Sequence, residues 1–358
     1  MTVPFRVGVM QLTMEPLAEI LGHARALDEH GFDTIWLAEA YPWWRKHQME
    51  ARSSTALSPL IGRDTERLAV GWGIISPYTR HPVQVAMEAR VTQEAVGEGR
   101  FYLGFGASKI FMKHVGEGER KPARPRTAVK EAIEIVRAAL SGEELHYEGR
   151  EFTAHVPPLA GEAETPRGVP PLYVAGTGPR MQELAGEVGD GLLTPSITTP
   201  AFVRYARENM ARGAERAGRD PDELDLGCTI VASIGEERDR GRQGAREIAG
   251  MYLANKVQNI QASADTLLQK AELTMDEIRP IAEAMERGGR LEAAGAVTDE
   301  ILDKSKPIAG TPEDCIAAIE EYRDAGCTHI MLELWGENRA EQIRRFGEVL
   351  PAVRSAVA

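Results

Sequence analysis

The sequence predicts a (β/α)8 barrel, and three observations predict it. Short apolar runs alternate with amphipathic stretches along the chain, giving eight strand–helix units. The runs are apolar at successive positions, as parallel strands buried on both faces are. No G-x-G-x-x-G follows the first run, where the competing fold, a doubly wound open sheet, carries one. The whole of residues 1–358 is expected to form one barrel domain.

The first strand is FRVGVMQL, Phe5 to Leu12. Leu17, Ile20, Leu21, Ala24 and Leu27 then mark one face of a helix that starts near Pro16 and stops at Gly31. FDTIWLAEA is the second strand, followed by a helix around residues 51–61. RLAVGWGII is the third, VQVAMEARVTQEAV its helix, and RFYLGFGA the fourth strand. A helix over 126–140 keeps Val129, Ile133, Val136 and Leu140 in register. Residues 143–170 break the rhythm: a hairpin turning at Glu148-Gly149, then a Pro/Gly-rich loop. PLYVAG, DGLLTP and DLGCTIVASI are strands five to seven, the first two followed by helices over about 179–188 and 199–217. Residues 236–308 read as an inserted helical segment with a capping box at Thr274 and Glu277. The last unit opens with a helix capped by Thr311, with Pro312 in its first turn, and ends in THIMLELW and a closing helix.

Composition narrows the partners. The net charge of -12 argues against a nucleic-acid surface. No run approaches the ~20 apolar residues of a membrane span, and the N-terminus lacks a signal-peptide pattern. The three cysteines, Cys228, Cys315 and Cys327, lack zinc spacing and read as buried thiols. A cytoplasmic protein acting on a small molecule is expected.

In a barrel of this kind chemistry sits at the C-terminal strand ends. Strand two ends at Glu39, close to Trp43 and Trp44. Glu39 is either a working carboxylate or a structural one tied to backbone amides. The indoles are pocket walls, interface or core. Strand three, GWGIISPYTRHP, carries Gly71 and Gly73, then Arg80 and His81, which read as the start of the next helix more than as chemistry. Strand four ends in Gly104, Gly106 and Ser108, where the backbone can approach a flat or anionic group. Strand five runs into Gly176-Thr177-Gly178 and a helix beginning at Pro179, a shape that suits an anion. Thr194 stands at the end of strand six, and Glu333 and Trp335 at the end of strand eight, as pocket wall or core. No metal-type His/carboxylate set and no Ser–His–Asp arrangement stands at the strand ends. The inventory fits a flat, phosphorylated cofactor that brings its own chemistry.

With GFDTIWLAEAY, LAVGWGIISPYTRHPVQVAMEA, GRFYLGFGAS, RTAVKEAIEIVRAALSGEELHYEGREF, PLYVAGTGPRMQELAGEVGDGLL and GTPEDCIAAIEEYRDAGCTHIML, the chain resembles the bacterial luciferase-like superfamily over residues 5–350. Within it, the likeness is to the coenzyme F-420 (deazaflavin)-dependent branch of methylenetetrahydromethanopterin reductase-like oxidoreductases. The resemblance implies a non-prolyl cis peptide at Gly73–Ile74, in a bulge that with Ile75 props the deazaflavin ring. It implies phosphate contacts at Gly106, Ala107 and Ser108, at Ala175, Gly176, Thr177 and Gly178, and at Thr194. It places Glu39 near the ring. The chain departs from the pattern at Ala40, where a His is usual, and at Met10, where the reductases carry a Glu.

The implied activity is hydride transfer between C-5 of coenzyme F-420 and an organic substrate, with Glu39, Trp43 and Trp44 on the exposed ring face. An FMN-dependent monooxygenase and a non-catalytic cofactor-binding barrel are the alternatives. Homodimerisation follows from the family alone.

Overall fold

The computed structural model describes residues 3–39, 51–108, 124–142, 144–158, 168–258, 264–334 and 339–355. Eight parallel strands close into a ring: β1 (Arg6–Leu12), β2 (Thr34–Ala38), β3 (Ala69–Ile75), β4 (Phe101–Phe105), β7 (Leu172–Ala175), β8 (Gly191–Thr194), β9 (Asp225–Ile234) and β11 (His329–Leu334). β1 pairs with β2 on one side and β11 on the other, and the pairing of β8 with β9 completes the closure. The strands are those the apolar runs predict.

The strands are apolar throughout because both faces are buried. Val7, Val9, Ile35, Leu37, Val70 and Trp72 face the helical layer. Met10, Trp36, Tyr102, Tyr173, Leu193 and Met331 fill the barrel interior. Gly71, which weakens β3 on propensity alone, is explained by that filling: a Cβ there would lie 2.3 Å from Cδ2 of the Trp36 indole.

The outer layer holds α1 (Leu17–Glu29), α2 (Ser54–Asp64), α3 (Pro82–Val96), α4 (Pro125–Ser141), α5 (Pro179–Val188), α6 (Pro200–Arg216), α12 (Pro312–Asp324) and α13 (Arg339–Ser355). Thr311 caps α12 by accepting from the Asp314 N–H at 3.3 Å. Between α4 and β7 lies an antiparallel hairpin, β5 (Leu145–Glu148) and β6 (Thr153–Val156). The buried Glu131 carboxylate pins it to α4 by accepting from the N–H groups of Arg150, Glu151 and Phe152 at 2.8–2.9 Å.

Between β9 and β11 the chain forms α7 (Arg238–Gln258), α8 (Ala264–Lys270), α9 (Met275–Gly288), α10 (Arg290–Ala296) and α11 (Asp299–Ser305). These helices bury an apolar cluster of their own around Ile248, Leu253, Ile278, Ile281 and Leu302. The capping box forms at α9, the Thr274 N–H donating to Glu277 Oε2 at 2.7 Å. The segment ends in β10 (Ile308–Gly310), which pairs with Ala232–Ile234 at the top of β9. This short strand is not foreseen from the sequence, because three residues carry no readable period. Among the described residues no helix is long and apolar enough to cross a membrane.

Candidate functional site

The mouth of the barrel at the C-terminal strand ends opens into a cleft of about 390 Å³. One wall comes from a break in β3. Trp72 pairs with Leu103 and Ile75 with Phe105, so Gly73 and Ile74 together oppose Gly104. This is a β-bulge, and the peptide between Gly73 and Ile74 is cis. The extra residue changes the parity of the strand. Gly73 and Ile74 both line the cleft, with Met10, Leu12 and Ala38 beside them.

Ile75 must be corrected against expectation. After the bulge it faces outward, is 1% exposed, and packs in the layer between sheet and helices. Gly104 also differs from its sequence reading. It makes room for the bulge and does not border the cleft, since a Cβ there would lie 2.6 Å from the Trp72 carbonyl oxygen. Gly106 borders the cleft and yields to Ile74, whose Cγ1 a Cβ would meet at 3.1 Å.

The second wall is mostly backbone. Gly106, Ala107 and Ser108 continue from β4, and Ala175, Gly176 and Thr177 from β7. Ser108 sits in the left-handed region at φ 44°, uncommon for a non-glycine residue and frequent at ligand sites. Gly178 is the N-cap of α5 and offers no side chain to its first turn. The positive end of the α5 dipole therefore adjoins this wall. Gly178 itself is not among the lining residues. Thr194 is, and its hydroxyl accepts from Thr198 Oγ1 at 2.9 Å.

Glu39 is not presented to the cleft. Its Oε2 accepts from the Ser54 N–H at the start of α2 at 2.8 Å, and its Oε1 pairs with Arg80 Nη1 at 2.7 Å. Arg80 also reaches Ser53 and Glu88. His81 Nδ1 caps α3 by accepting from the Val83 N–H at 3.3 Å. The scaffold reading of Arg80 and His81 thus has a physical basis, and Glu39 shares it. Trp43, Trp44, Ala40 and Trp335 lie outside the described residues.

The third side is polar. On β11 the inward positions step upward from His329 at the floor through Met331 to Glu333 at the mouth. The Glu333 carboxyl is fully buried and accepts from Ser196 Oγ at 2.5 Å and from the Tyr252 hydroxyl. Burial pushes its pKa up to about 7, against the pull of the two hydroxyls, Arg339 and Lys256. Burial also lowers the Lys256 ammonium to about 8, the Glu333 charge opposing that shift. Tyr252, Asn255 and Lys256 reach the cleft from α7. Sequence reasoning leaves Glu333 as wall or core and passes over Tyr252 and Lys256. The available signal was the lone carboxylate inside the apolar run IMLELW. Among the described residues no His/Cys/Asp/Glu group is arranged to hold a metal ion.

Comparison with known proteins agrees with the fold. Residues 1–329 match the family model described as luciferase-like monooxygenase. The 5,10-methylenetetrahydromethanopterin reductase of Methanolobus tindarius is 29% identical over 345 residues, covering 95% of this chain and 98% of that one. The F420-dependent glucose-6-phosphate dehydrogenase of Nakamurella multipartita is 26% identical over 348 residues, covering 95% and 94%. The fold superposes on the coenzyme F420 dependent tetrahydromethanopterin reductase of Methanopyrus kandleri with a TM-score of 0.81, at 24% identity and with 98% and 99% of the two chains covered.

Proposed function

The chain belongs to the luciferase-like monooxygenase family, and on that premise we propose that it is an oxidoreductase passing a hydride between coenzyme F-420 and a small organic substrate. The relatives named above as reductase and dehydrogenase support this reading at 26–29% identity over nearly the full chain. One observation carries it: a single cleft has an apolar bulge wall facing a wall of backbone and helix N-terminus. The first suits a flat ring, and the second suits phosphate.

The fit is consistent side chain by side chain. Gly73, Ile74 and Met10 bring no polar side chain to the surface on which a deazaflavin ring can lie. Gly106, Ala107, Ser108, Ala175, Gly176 and Thr177 would hold the phosphate-bearing tail, with Thr194 adding a hydroxyl. A Cβ on Gly176 would sit 2.4 Å from Met181 Cβ, so the turn into α5 keeps its shape only with glycine there. When bound, the deazaflavin supplies hydride chemistry at C-5. The chain's own part is to hold the ring against the bulge and exclude water. Glu39 supports this from behind by fixing α2 to the β2 end.

The test is a pair of calorimetric titrations, coenzyme F-420 and FMN side by side. We expect coenzyme F-420 to bind at least about tenfold more tightly, a difference of ~1.4 kcal/mol. Tight FMN binding with none of the deazaflavin overturns the proposal in favour of a flavin monooxygenase.

A further inference from the structure

The polar side of the cleft has a job that holding a cofactor does not explain. Glu333 is fully buried at the top of an inward-facing strand position, yet it borders the cleft. Its two oxygens are engaged by hydroxyls from different elements. Ser196 follows β8, and Tyr252 belongs to α7. Tyr252 is partly exposed and lines the cleft itself. A single hydrogen bond thus joins a buried carboxyl to the hydroxyl of a residue that lines the cleft. A carboxyl kept only to fill space in an apolar strand end would cost more than the Leu or Met that its neighbours use.

Resting on the coenzyme F-420 reading, we propose that Tyr252 and Glu333 form the proton relay of the reaction, serving the polar double bond, C=O or C=N, that such a hydride transfer reduces. In the reducing direction the carbon of C=O or C=N would take a hydride from the reduced deazaflavin in its anionic form, deprotonated at N-1, so that the neutral oxidised ring remains, and the π pair moves onto the oxygen or nitrogen. The Tyr252 hydroxyl proton passes to that atom. The Glu333 carboxylic acid restores the tyrosine proton and becomes a carboxylate. The substrate is reduced and the cofactor oxidised; the alcohol or amine direction runs through the same atoms in reverse. Tyr252 is the catalytic residue and Glu333 acts through it.

The surroundings let the carboxyl exchange its proton near neutrality. Facing it are Ser196 and Tyr252, the Lys256 ammonium from α7, and Arg339 from α13. Arg339 is also paired with Glu15 at 2.5 Å, which in turn accepts from Gln11 Nε2 at 2.8 Å. Burial raises the carboxyl to about 7 despite these cations, close to where a general acid–base group works best. The helical segment brings Tyr252 and Lys256, so the relay exists only when that segment covers the mouth.

The experiment compares the wild type with Glu333→Gln and Tyr252→Phe. Carbon-13 NMR of glutamate carboxyls needs neither cofactor nor substrate. It should show one carboxyl titrating near 7 that disappears in Glu333→Gln and survives in Tyr252→Phe. All three proteins should bind coenzyme F-420 within about threefold of one another, a difference of ~0.7 kcal/mol. Stopped-flow mixing of reduced coenzyme F-420 with a panel of aldehydes, ketones and cyclic imines should give reduction that slows as pH rises through 7. Both variants should lose about a hundredfold in rate, and Glu333→Gln should lose the pH break as well. A Glu333 carboxyl titrating in the ordinary carboxylate range overturns the relay, as does an unchanged pH profile in both variants. Failure of every probe despite cofactor binding overturns the substrate class. Failure of the wild type to bind coenzyme F-420 counts against the cofactor reading instead, and the NMR arm still reports on the carboxyl.

Discussion

Glu39 and Arg80 meet at 2.7 Å above the ends of β2 and β3, with side chains only 12% and 19% exposed. The pair joins three elements, because Glu39 also caps α2 through Ser54 and Arg80 also reaches Glu88 on α3. Replacing either residue with alanine should cost about 1–3 kcal/mol, since the partner stays largely buried and loses its shortest charged contact. The double variant should cost less than the sum of the two, because the second removal relieves the first. Urea unfolding of the four proteins measures this. Additive losses would show that the two groups work independently.

A second network seals the floor of the barrel. Asp225 accepts from Tyr173 at 2.6 Å, Thr328 at 2.5 Å and Arg6 at 2.5 Å, and His329 Nδ1 stands 3.4 Å away. Despite burial, His329, Arg6 and Thr328 hold the Asp225 carboxyl well below its usual range. Burial lowers His329, whose Nε2 accepts from the Trp36 indole at 3.4 Å, as a neutral ring does. Both shifts carry the same sign. The unfolded chain binds protons that the native site refuses, so stability present at neutral pH is lost on acidification. The loss should begin below pH ~6.5 with His329 and deepen below ~4 with Asp225. His23, lowered to about 4 by burial and by Arg339, adds to the first phase. Asp225→Asn should cost about 3–5 kcal/mol at pH 7 and flatten the deeper phase. Chemical denaturation at stepped pH reads both.

Gly73 is a packing test of the ring wall. A Cβ there would stand 3.2 Å from Met10 Cε and 3.3 Å from Trp36 Cε3, tight but against side chains. Gly73→Val should cost about 1–3 kcal/mol of stability by overpacking. It should weaken coenzyme F-420 binding by more than about tenfold, equivalent to ~1.4 kcal/mol. Calorimetry set beside thermal midpoints separates the two effects. Unchanged affinity would remove Gly73 from the cofactor wall.

Glu333 makes a stability prediction of opposite sign to Asp225. Its native carboxyl is raised to about 7 by burial, so between the unfolded value of ~4.3 and that point the native state holds the extra proton. The stability this provides is complete at low pH and is lost as pH rises through 7. Glu333→Gln, which never ionises, should therefore gain on the wild type between pH 5 and 8 by an amount on the order of 1–3 kcal/mol. Lys256→Met should move the carboxyl titration further up, because a cation that favours the charged form is gone. Denaturation curves at the two pH values and the carboxyl NMR titration check these outcomes.

The barrel was legible because strands buried on both faces leave continuous apolar runs, and helix ends leave local marks such as Thr274–Glu277 and Thr311–Pro312. The backbone-lined walls were legible for a related reason. A Cβ would clash at Gly176 and be tight at Gly73 and Gly106, and that restriction shows in the letters themselves. Ile75 was misplaced because a bulge inverts the inside–outside alternation, and a one-residue slip of that kind is invisible in composition. Glu333 was read only as pocket wall or core, and Tyr252 and Lys256 escaped, because their meeting is non-local. Each is ordinary in its own segment, and only the fold of α7 over the mouth brings them together.

The pairing of Ile308–Gly310 with Ala232–Ile234 brings the end of the helical segment back to the strand it leaves, giving it the form of a closed loop laid over the rim. Its two ends meet on β9, so its length and sequence can drift without disturbing the register of any barrel strand. On the proposed reading, the half of the cleft that meets the reaction partner can therefore be exchanged like an interchangeable tool head, while the handle for the redox group stays the same.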